Sequence, residues 1–239
     1  GSSGSGKSSL IKAGLIPSLE NLQETRKDWA VIVFRPGANP VKSFVNALKT
    51  ALRKEDPFWD SADLLNVERD IILDPQSVFK YLEAVGGKNI LFVIDQFEEL
   101  FRYELSDEDQ GKRKIETPAF INVLLRLINQ RDVPIHAVIT MRSDFLDNCT
   151  EFNGLTEVIN RGYYLLPKMN PEEVKQVIVG PVEAFNATIE PELVKTLLQE
   201  LAENPDYLPI LQHALMRTWD RWKSTKADSM PISLVEYQA

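Results

Sequence analysis

Cysteine and histidine are scarce in this sequence, which has one cysteine and two histidines among 239 residues. The single thiol, Cys149, cannot form an intrachain disulfide, and this favours a reducing compartment such as the cytoplasm. No cysteine and histidine spacing resembles a zinc site, and we interpret His136 and His213 as packing or surface residues. The scarcity excludes a disulfide-rich fold and the common zinc centres.

Long apolar runs and an excess of positive charge are also missing. The longest runs, such as residues 90–94, are far too short to cross a bilayer, so no membrane partner is predicted. The net charge is -8, whereas dedicated nucleic-acid binders usually carry a basic stripe. The one basic cluster, at 112–114, lies beside acidic residues and is predicted to be a solvated loop. Nucleic acid is therefore not indicated as a partner.

Apolar runs alternate with helical patterns up to residue 167, which predicts an α/β domain with a parallel sheet over 1–167. Strands are predicted at 29–34, 89–94, 135–140 and 163–166. Helices are predicted at 7–19, 40–52, 77–85 and 119–130, and a charged loop is predicted at 102–118. Only helical patterns follow, at 171–179, 191–202 and 209–222, so residues 168–239 are predicted to form a small helical, lid-like domain.

The chain begins with Gly1-Ser2-Ser3-Gly4-Ser5-Gly6-Lys7-Ser8, which fits the phosphate-binding pattern G-x-x-x-x-G-K-[ST]. Glycines allow the backbone to approach phosphate oxygens closely, and consecutive amides can form an anion-binding nest. Lys7 supplies a positive charge for the β- and γ-phosphates, and the Ser8 hydroxyl can bind Mg²⁺. The predicted nucleotide-binding residues of this loop are Gly1, Gly4, Ser5, Gly6, Lys7, Ser8 and Ser9.

An alternative is that residues 1–6 are a glycine- and serine-rich linker. A phosphate-binding loop normally follows a buried strand, and no residue precedes Gly1. The sequence continues, however, into an amphipathic helix at the Lys7-Ser8 register, with Pro17 as its predicted stop. We therefore favour the phosphate-binding loop, with its first strand expected upstream of Gly1.

The second motif is an apolar strand, residues 90–94, that ends in Asp95. Such a strand places the carboxylate at the edge of the sheet where α/β proteins bind ligands, and there Asp95 can hold Mg²⁺. Glu98 or Glu99 can then polarise an attacking water molecule. The sequence does not decide which of these two glutamates acts as the base.

The third motif is the strand at 135–140, which Arg142 follows closely. A guanidinium group suits a phosphate, so Arg142 is predicted to read the γ-phosphate. The alternative is a surface arginine that pairs with Asp144.

Several segments resemble the STAND class of signal-transduction NTPases, and most closely its novel STAND NTPase 1 branch. They are GSSGSGKSSLIKAGLIPSL, FRPGANPVKSFVNAL, ILFVIDQFEELF, VITMRSDFLDNC, YLPILQHALMRTW and PISLVEYQA, and they span nearly the whole chain. The resemblance implies a P-loop NTPase sheet in the order 5-1-4-3-2, without strand 1 here, and a helical domain that closes over the nucleotide. It also implies that Arg142 ends strand 4 and that Pro209 contacts the adenine. Tyr207 departs from the family pattern, which has glycine at that position.

The resemblance implies a slowly hydrolysing ATPase that acts as a nucleotide-controlled oligomerisation switch in signalling or defence, with ATP or ADP and Mg²⁺ as ligands. The expected partners are further copies of the chain, an N-terminal effector domain, and C-terminal sensor or WD40 repeat domains beyond a winged helix. In this mechanism Lys7, Glu98 or Glu99, and Arg142 are the catalytic residues, and Ser8 and Asp95 bind the metal. The alternative function is a nucleic-acid-handling ATPase with the same core.

Overall fold

A computed structural model describes residues 1, 4–21, 28–53, 59, 63–85, 87–102, 107–131, 133–202, 207–225 and 230–238. Backbone contacts divide the chain into two compact units. The first unit is Lys7–Tyr164, and the second is Leu165–Ala239 together with Gly1–Gly6.

The first unit contains a parallel sheet of three strands among the described residues: β1 (Trp29–Phe34), β2 (Asn89–Ile94) and β3 (Ile135–Ile139). The spatial order is β1-β2-β3, so β2 is central and hydrogen-bonds to both neighbours. Every residue of β2 is buried, as expected for a central parallel strand covered on both faces. This α/β architecture confirms the predicted fold class, and the strand order matches the 4-3-2 part of the predicted order.

Helices surround the sheet. Helix α1 begins with the α-helical turn Lys7–Ser9, continues as the π-helical segment Leu10–Leu15 and ends with the α-helical segment Ile16–Asn21. The other α-helices of the first unit are α2 (Pro40–Leu52), α3 (Leu64–Leu73), α4 (Val78–Leu82), α5 (Asp107–Asn129) and α6 (Leu155–Gly162). Short 3₁₀ turns lie at Pro75–Ser77, Glu83–Val85, Phe97–Phe101, Ser143–Phe145 and Asp147–Glu151.

An aromatic cluster fixes α2 and α5 on the sheet. Phe44 of α2 and Phe120 of α5 lie with ring centroids 6.1 Å apart, and each also packs against Phe34 of β1. Phe92 of β2 lies 5.6 Å from Phe44. Aromatic pairs at these separations add to the free energy of apolar burial, so the cluster holds the strands in register beneath the two helices.

Cys149 lies in the core of the first unit. Its Sγ atom is 3.9 Å from both Met141 Sδ and the Phe145 carbonyl oxygen. Burial raises the pKa of the Cys149 thiol to about 11. The thiol is therefore protonated at neutral pH.

Three local predictions for the first unit are wrong. The segment 163–166 is not a strand; Tyr164 is 73% exposed, so burial in a sheet does not hold the segment extended. The segment 107–118 is helical rather than a loop, because glutamate, lysine, arginine and glutamine are good helix formers even where no apolar face is present. Pro17 does not stop α1, because the wider π-helical turn before it changes the hydrogen-bond spacing at the proline.

The second unit is helical, with α7 (Pro171–Ala184), α8 (Pro191–Ala202), α9 (Tyr207–Ser224) and α10 (Leu234–Gln238). Its buried apolar residues are Val174, Ile178, Val182, Leu193, Val194, Leu197, Leu211, Trp222 and Ile232. Helix α7 was predicted to end before Gly180-Pro181, and this prediction is wrong. Val182 continues the buried stripe of Val174 and Ile178 at a spacing of four residues, and its burial outweighs the cost of the proline.

Candidate functional site

Polar side chains meet where the three strands of the sheet end. Arg35 follows β1, Asp95 follows β2 and Thr140 follows β3. The last residues of the three strands are paired with one another, so these polar residues lie along one edge. This is the carboxyl edge of a parallel sheet, where open α/β folds bind ligands.

Asp95 is 1% exposed, and both oxygens of its carboxylate have hydrogen-bond donors. Ser8 Oγ donates to Oδ1 over 2.5 Å, and Thr140 Oγ1 donates to the same oxygen over 2.7 Å. Lys12 Nζ donates to Oδ2 over 2.8 Å, and Arg35 Nε lies 3.5 Å from Oδ2. The structure thus brings together the two predicted metal ligands, Ser8 and Asp95.

The donors around Asp95 determine its charge. Burial alone would raise its pKa, but hydrogen bonds from Lys12, Ser8 and Thr140 outweigh burial and hold the pKa at about 2. Donors to the charged form of a carboxylate lower its pKa in this way. Asp95 is therefore ionised throughout the neutral range.

The turn after Asp95 depends on Thr140. Gln96 has left-handed backbone angles, φ 59 and ψ 52, which are uncommon for a residue other than glycine. Its N–H donates to Thr140 Oγ1 over 3.0 Å, and the next N–H, of Phe97, donates to the Thr140 carbonyl over 2.9 Å. One hydroxyl therefore orients Asp95 and also holds the turn that leads to Glu98 and Glu99.

We expect Thr140→Val to lower the free energy of unfolding of the protein by about 1.5–3 kcal/mol, because it removes a hydrogen bond to a charged group and deprives the Gln96 N–H of its acceptor. Thr140→Ser retains the hydroxyl and should cost clearly less. Denaturant titration of the three proteins measures the difference. A loss in Thr140→Ser as large as that in Thr140→Val would contradict this role for the hydroxyl, because serine keeps the hydroxyl and lacks only the methyl group.

The two candidate bases, Glu98 and Glu99, have different surroundings. Glu98 is 8% exposed, and its Oε2 atom is buried without a hydrogen-bond partner among the described residues. Glu99 Oε2 accepts a hydrogen bond from the N–H of Gly37 over 3.0 Å. Gly37 has a φ of 62°, so the turn after β1 favours glycine at this position. Glu99 therefore anchors that turn, whereas one oxygen of Glu98 is not used by the described part of the fold.

Lys7 shares an electrostatic environment with the other predicted site residues of the first unit. Burial lowers the pKa of Lys7; Glu98 partly opposes this shift, Arg142 adds to it, and Asp144 and Asp95 oppose it. Coulombic interaction weakens with distance, so groups that shift the pKa of Lys7 lie near it. The first unit therefore groups Lys7 with Glu98, Arg142 and Asp95.

Arg142 forms a bidentate ion pair with Asp144. Its Nε atom donates to both carboxylate oxygens over 3.2 and 3.1 Å, and its Nη2 atom donates to Oδ2 over 2.5 Å. The hydrogen bonds from Arg142 lower the pKa of Asp144. The guanidinium group is half-exposed and lies over the ring of Phe145. The ion pair between Arg142 and Asp144, which was the alternative to phosphate sensing by Arg142, is thus present.

In the second unit, two glycines of the predicted phosphate-binding loop have left-handed backbone angles, with φ 68 at Gly4 and 82 at Gly6. A Cβ atom on Gly6 would lie 3.6 Å from Leu208 Cδ1, so Gly6 neighbours the residue before Pro209. Pro209 is exposed in the first turn of α9. A Cβ atom on Gly1 would lie 3.0 Å from Ser5 Oγ, which leaves little room for a side chain there. In the first unit, Ser9 is exposed on α1.

The oxygens of Ser8 and Asp95 fit Mg²⁺. This cation prefers hydroxyl and carboxylate oxygens and keeps several waters, so two protein ligands and a substrate phosphate are a normal set. Among the described residues, no three side chains of histidine, cysteine, aspartate or glutamate form a group that could hold a metal alone. A cation held by Ser8 and Asp95 would therefore need further ligands, such as water or phosphate oxygens.

The sequence motifs do not predict the contributions of Lys12, Arg35 and Thr140 to this edge. Lys12 follows Ser8 by four residues, which predicts a shared helical face and could have indicated that it lies near Asp95. Arg35 and Thr140 each follow a strand, and the same reasoning that placed Asp95 at the edge applies to them.

The chain is similar in fold to the ORC2 protein of Aeropyrum pernix, in a structure described as its ADPNP–ADP complexes. The TM-score is 0.66 at 15% sequence identity, and the match covers 100% of this chain and 58% of that one. A point mutant of RuvB from Thermotoga maritima matches at a TM-score of 0.41 and 12% identity, over 95% of this chain and 66% of that one, and this likeness is too weak to support a conclusion. No curated protein matches the chain.

The family model that matches residues 1–239 makes this chain a nucleotide-binding NTPase of the P-loop class, and the edge with Ser8 and Asp95 fits that class. The chain belongs to the novel STAND NTPase 1 family, whose model matches residues 1–239. The resemblance of the quoted motifs to this family is thereby confirmed. No helix in the part of the chain that the structure describes has the length and apolar character needed to span a membrane.

Proposed function

We propose that this chain binds and slowly hydrolyses ATP and that the bound nucleotide controls its self-association. One observation supports the nucleotide chemistry above all others: the 2.5 Å hydrogen bond from Ser8 to Asp95 joins the phosphate-binding loop to the acid after β2. These are the two groups that P-loop NTPases use around magnesium. Membership of a STAND family supports the switch.

In this proposal Lys7 contacts the β- and γ-phosphates, and Ser8 and Asp95 hold Mg²⁺. Bound there, Mg²⁺ would neutralise charge on the phosphate oxygens. The loop residues Gly1, Gly4, Ser5, Gly6 and Ser9 supply backbone contacts to the phosphates, and Pro209 contacts the base. We propose that residues 1–167 form the NTPase domain and that residues 168–239 form the lid domain.

We assign the general base to Glu98 rather than Glu99. A base needs an acceptor oxygen that the fold does not already use, and Glu98 Oε2 is buried without a hydrogen-bond partner among the described residues. Glu99 already accepts the Gly37 N–H. Glu98 also interacts electrostatically with Lys7, which we place at the phosphates.

Arg142 is proposed to exchange Asp144 for the γ-phosphate. Half-exposed ion pairs contribute only about 0–1 kcal/mol, so the exchange costs little. The bidentate geometry that Arg142 uses toward Asp144 also suits phosphate oxygens. Arg142 would then differ in its contacts between the triphosphate and diphosphate states, as a nucleotide sensor requires.

A direct test of the switch compares the mass of the protein in solution with ADP, with a non-hydrolysable ATP analogue and without nucleotide. We expect the ATP analogue to favour a larger assembly and ADP to favour the monomer, and we expect turnover on the order of 10⁻³ to 10⁻² s⁻¹. Light scattering after size exclusion gives the mass, and phosphate release gives the rate. Binding without any change in mass would contradict the oligomerisation switch but not the NTPase assignment.

A nucleic-acid-handling ATPase is the competing function. The similarity to ORC2, at 15% identity, extends to the fold alone, and the net charge of -8 opposes binding to a polyanion. Salt-dependent retention of a DNA duplex by the protein would favour this alternative.

A further inference from the structure

All the acceptor positions of the Asp95 carboxylate have a donor nearby. An ionised carboxylate offers about four lone-pair positions. Oδ1 accepts from Ser8 and Thr140, whereas Oδ2 faces Lys12 at 2.8 Å and Arg35 at 3.5 Å. The negative charge of Asp95 is therefore balanced by the protein's own cations.

Helix α1 contacts both oxygens of this carboxylate. Ser8 reaches Oδ1, and Lys12, four residues further along, reaches Oδ2. Lys12 lies in the π-helical segment Leu10–Leu15, a geometry that is rare and frequently found at functional sites. The helix that carries the predicted metal ligand Ser8 thus also carries a competing cation.

Moving Lys12 away from this position costs little free energy, whereas leaving Asp95 without a counter-ion costs much more. The side chain of Lys12 is 45% exposed, so its ammonium group can move into water on a flexible stem. Asp95 is 1% exposed, and a buried carboxylate without a partner is costly. Arg35 lies farther from Oδ2 than Lys12 does, so Lys12 is the nearer counter-ion.

We infer that Lys12 is an exchangeable counter-cation for Asp95: it neutralises the carboxylate while Mg²⁺ is absent and withdraws when Mg²⁺ arrives with the nucleotide. The inference rests on the proposed role of Ser8 and Asp95 as the magnesium ligands. Mg²⁺ and an ammonium group on one carboxylate repel each other, so each disfavours the other. Lys12 therefore sets the Mg²⁺ concentration at which nucleotide binds tightly.

The test titrates Mg²⁺ at a fixed concentration of a fluorescent, non-hydrolysable ATP analogue and measures bound nucleotide by anisotropy. For Lys12→Met we expect the half-saturating Mg²⁺ concentration to fall roughly two- to fivefold, the range for a half-exposed ion pair that no longer has to be broken. Lys12→Gln should shift in the same direction, and Lys12→Arg should remain near wild type. The melting temperature of Lys12→Met without Mg²⁺ and nucleotide should fall, because Asp95 has lost a partner.

Lys80→Met is the matched control. Lys80 forms an ion pair of the same length, 2.8 Å, with Asp70, and its side chain is 51% exposed. It lies on α4, and its contacts in the described part of the chain are with Asp70 and the ring of Tyr81. Its removal should therefore leave the Mg²⁺ titration unchanged.

An unchanged or raised half-saturating Mg²⁺ concentration in both Lys12→Met and Lys12→Gln, with tight binding by the wild type, would overturn this inference alone. Failure of the wild type to bind the analogue at any Mg²⁺ concentration would overturn the proposed function and the inference together. The two failures are therefore distinguishable in one experiment.

Discussion

Glu98→Gln is expected to lower the turnover of ATP by about two to four orders of magnitude while nucleotide binding remains near wild type. Glutamine has nearly the shape of glutamate but cannot accept a proton from water. The expected result follows from the Oε2 atom of Glu98, which is buried without a hydrogen-bond partner in the described part of the chain, and from the electrostatic interaction of Glu98 with Lys7. Single-turnover phosphate release measures the rate, and anisotropy of a labelled nucleotide measures binding.

Glu99→Gln is the matched control for this substitution. Its carbonyl oxygen can still accept the Gly37 N–H, so the turn after β1 should persist and turnover should fall by less than about tenfold. A larger loss in Glu99→Gln than in Glu98→Gln would reverse the assignment of the base. Unchanged hydrolysis in both variants would remove both glutamates from the mechanism.

Lys7→Ala is expected to weaken ATP binding by roughly 100-fold or more, because it removes a charge-assisted contact to the phosphates. Isothermal titration calorimetry with the ATP analogue and Mg²⁺ gives the affinity. At saturating Mg²⁺, Lys12→Met, which removes a neighbouring lysine on the same helix, should retain binding. Wild-type affinity in Lys7→Ala would contradict the assignment of the phosphate-binding loop.

The parts of the molecule predicted correctly from the sequence are those that depend on local pattern. The apolar run at 90–94 is a buried central strand, because a run so short and so rich in β-branched and aromatic residues favours a strand over a helix. Helix α2 has the predicted bounds, Pro40–Leu52, because its apolar spacing and its proline in the first turn agree. The position of Asp95 at the end of β2 follows from the strand itself.

The parts that could not be predicted depend on contacts between residues that are distant in the sequence. A strand at 163–166 would have needed a neighbouring strand to pair with. Helix α7 continues past Pro181 because Val182 is buried. The donation from Lys12 to Asp95 joins residues 83 positions apart and needs the packing of α1 against the end of β2. The separate surroundings of Glu98 and Glu99 likewise become visible only when the turn at Gly37 is in place.

The buried Cys149 has a practical consequence for testing whether nucleotide changes the distance between the two units. It is the single cysteine of the sequence, and burial keeps its thiol protonated and poorly reactive at neutral pH. Fluorophores or spin labels can therefore be attached to one new cysteine on each unit without first removing the native one. Distances between such labels, recorded with ATP analogue, with ADP and without nucleotide, would report domain movement in an otherwise unaltered protein.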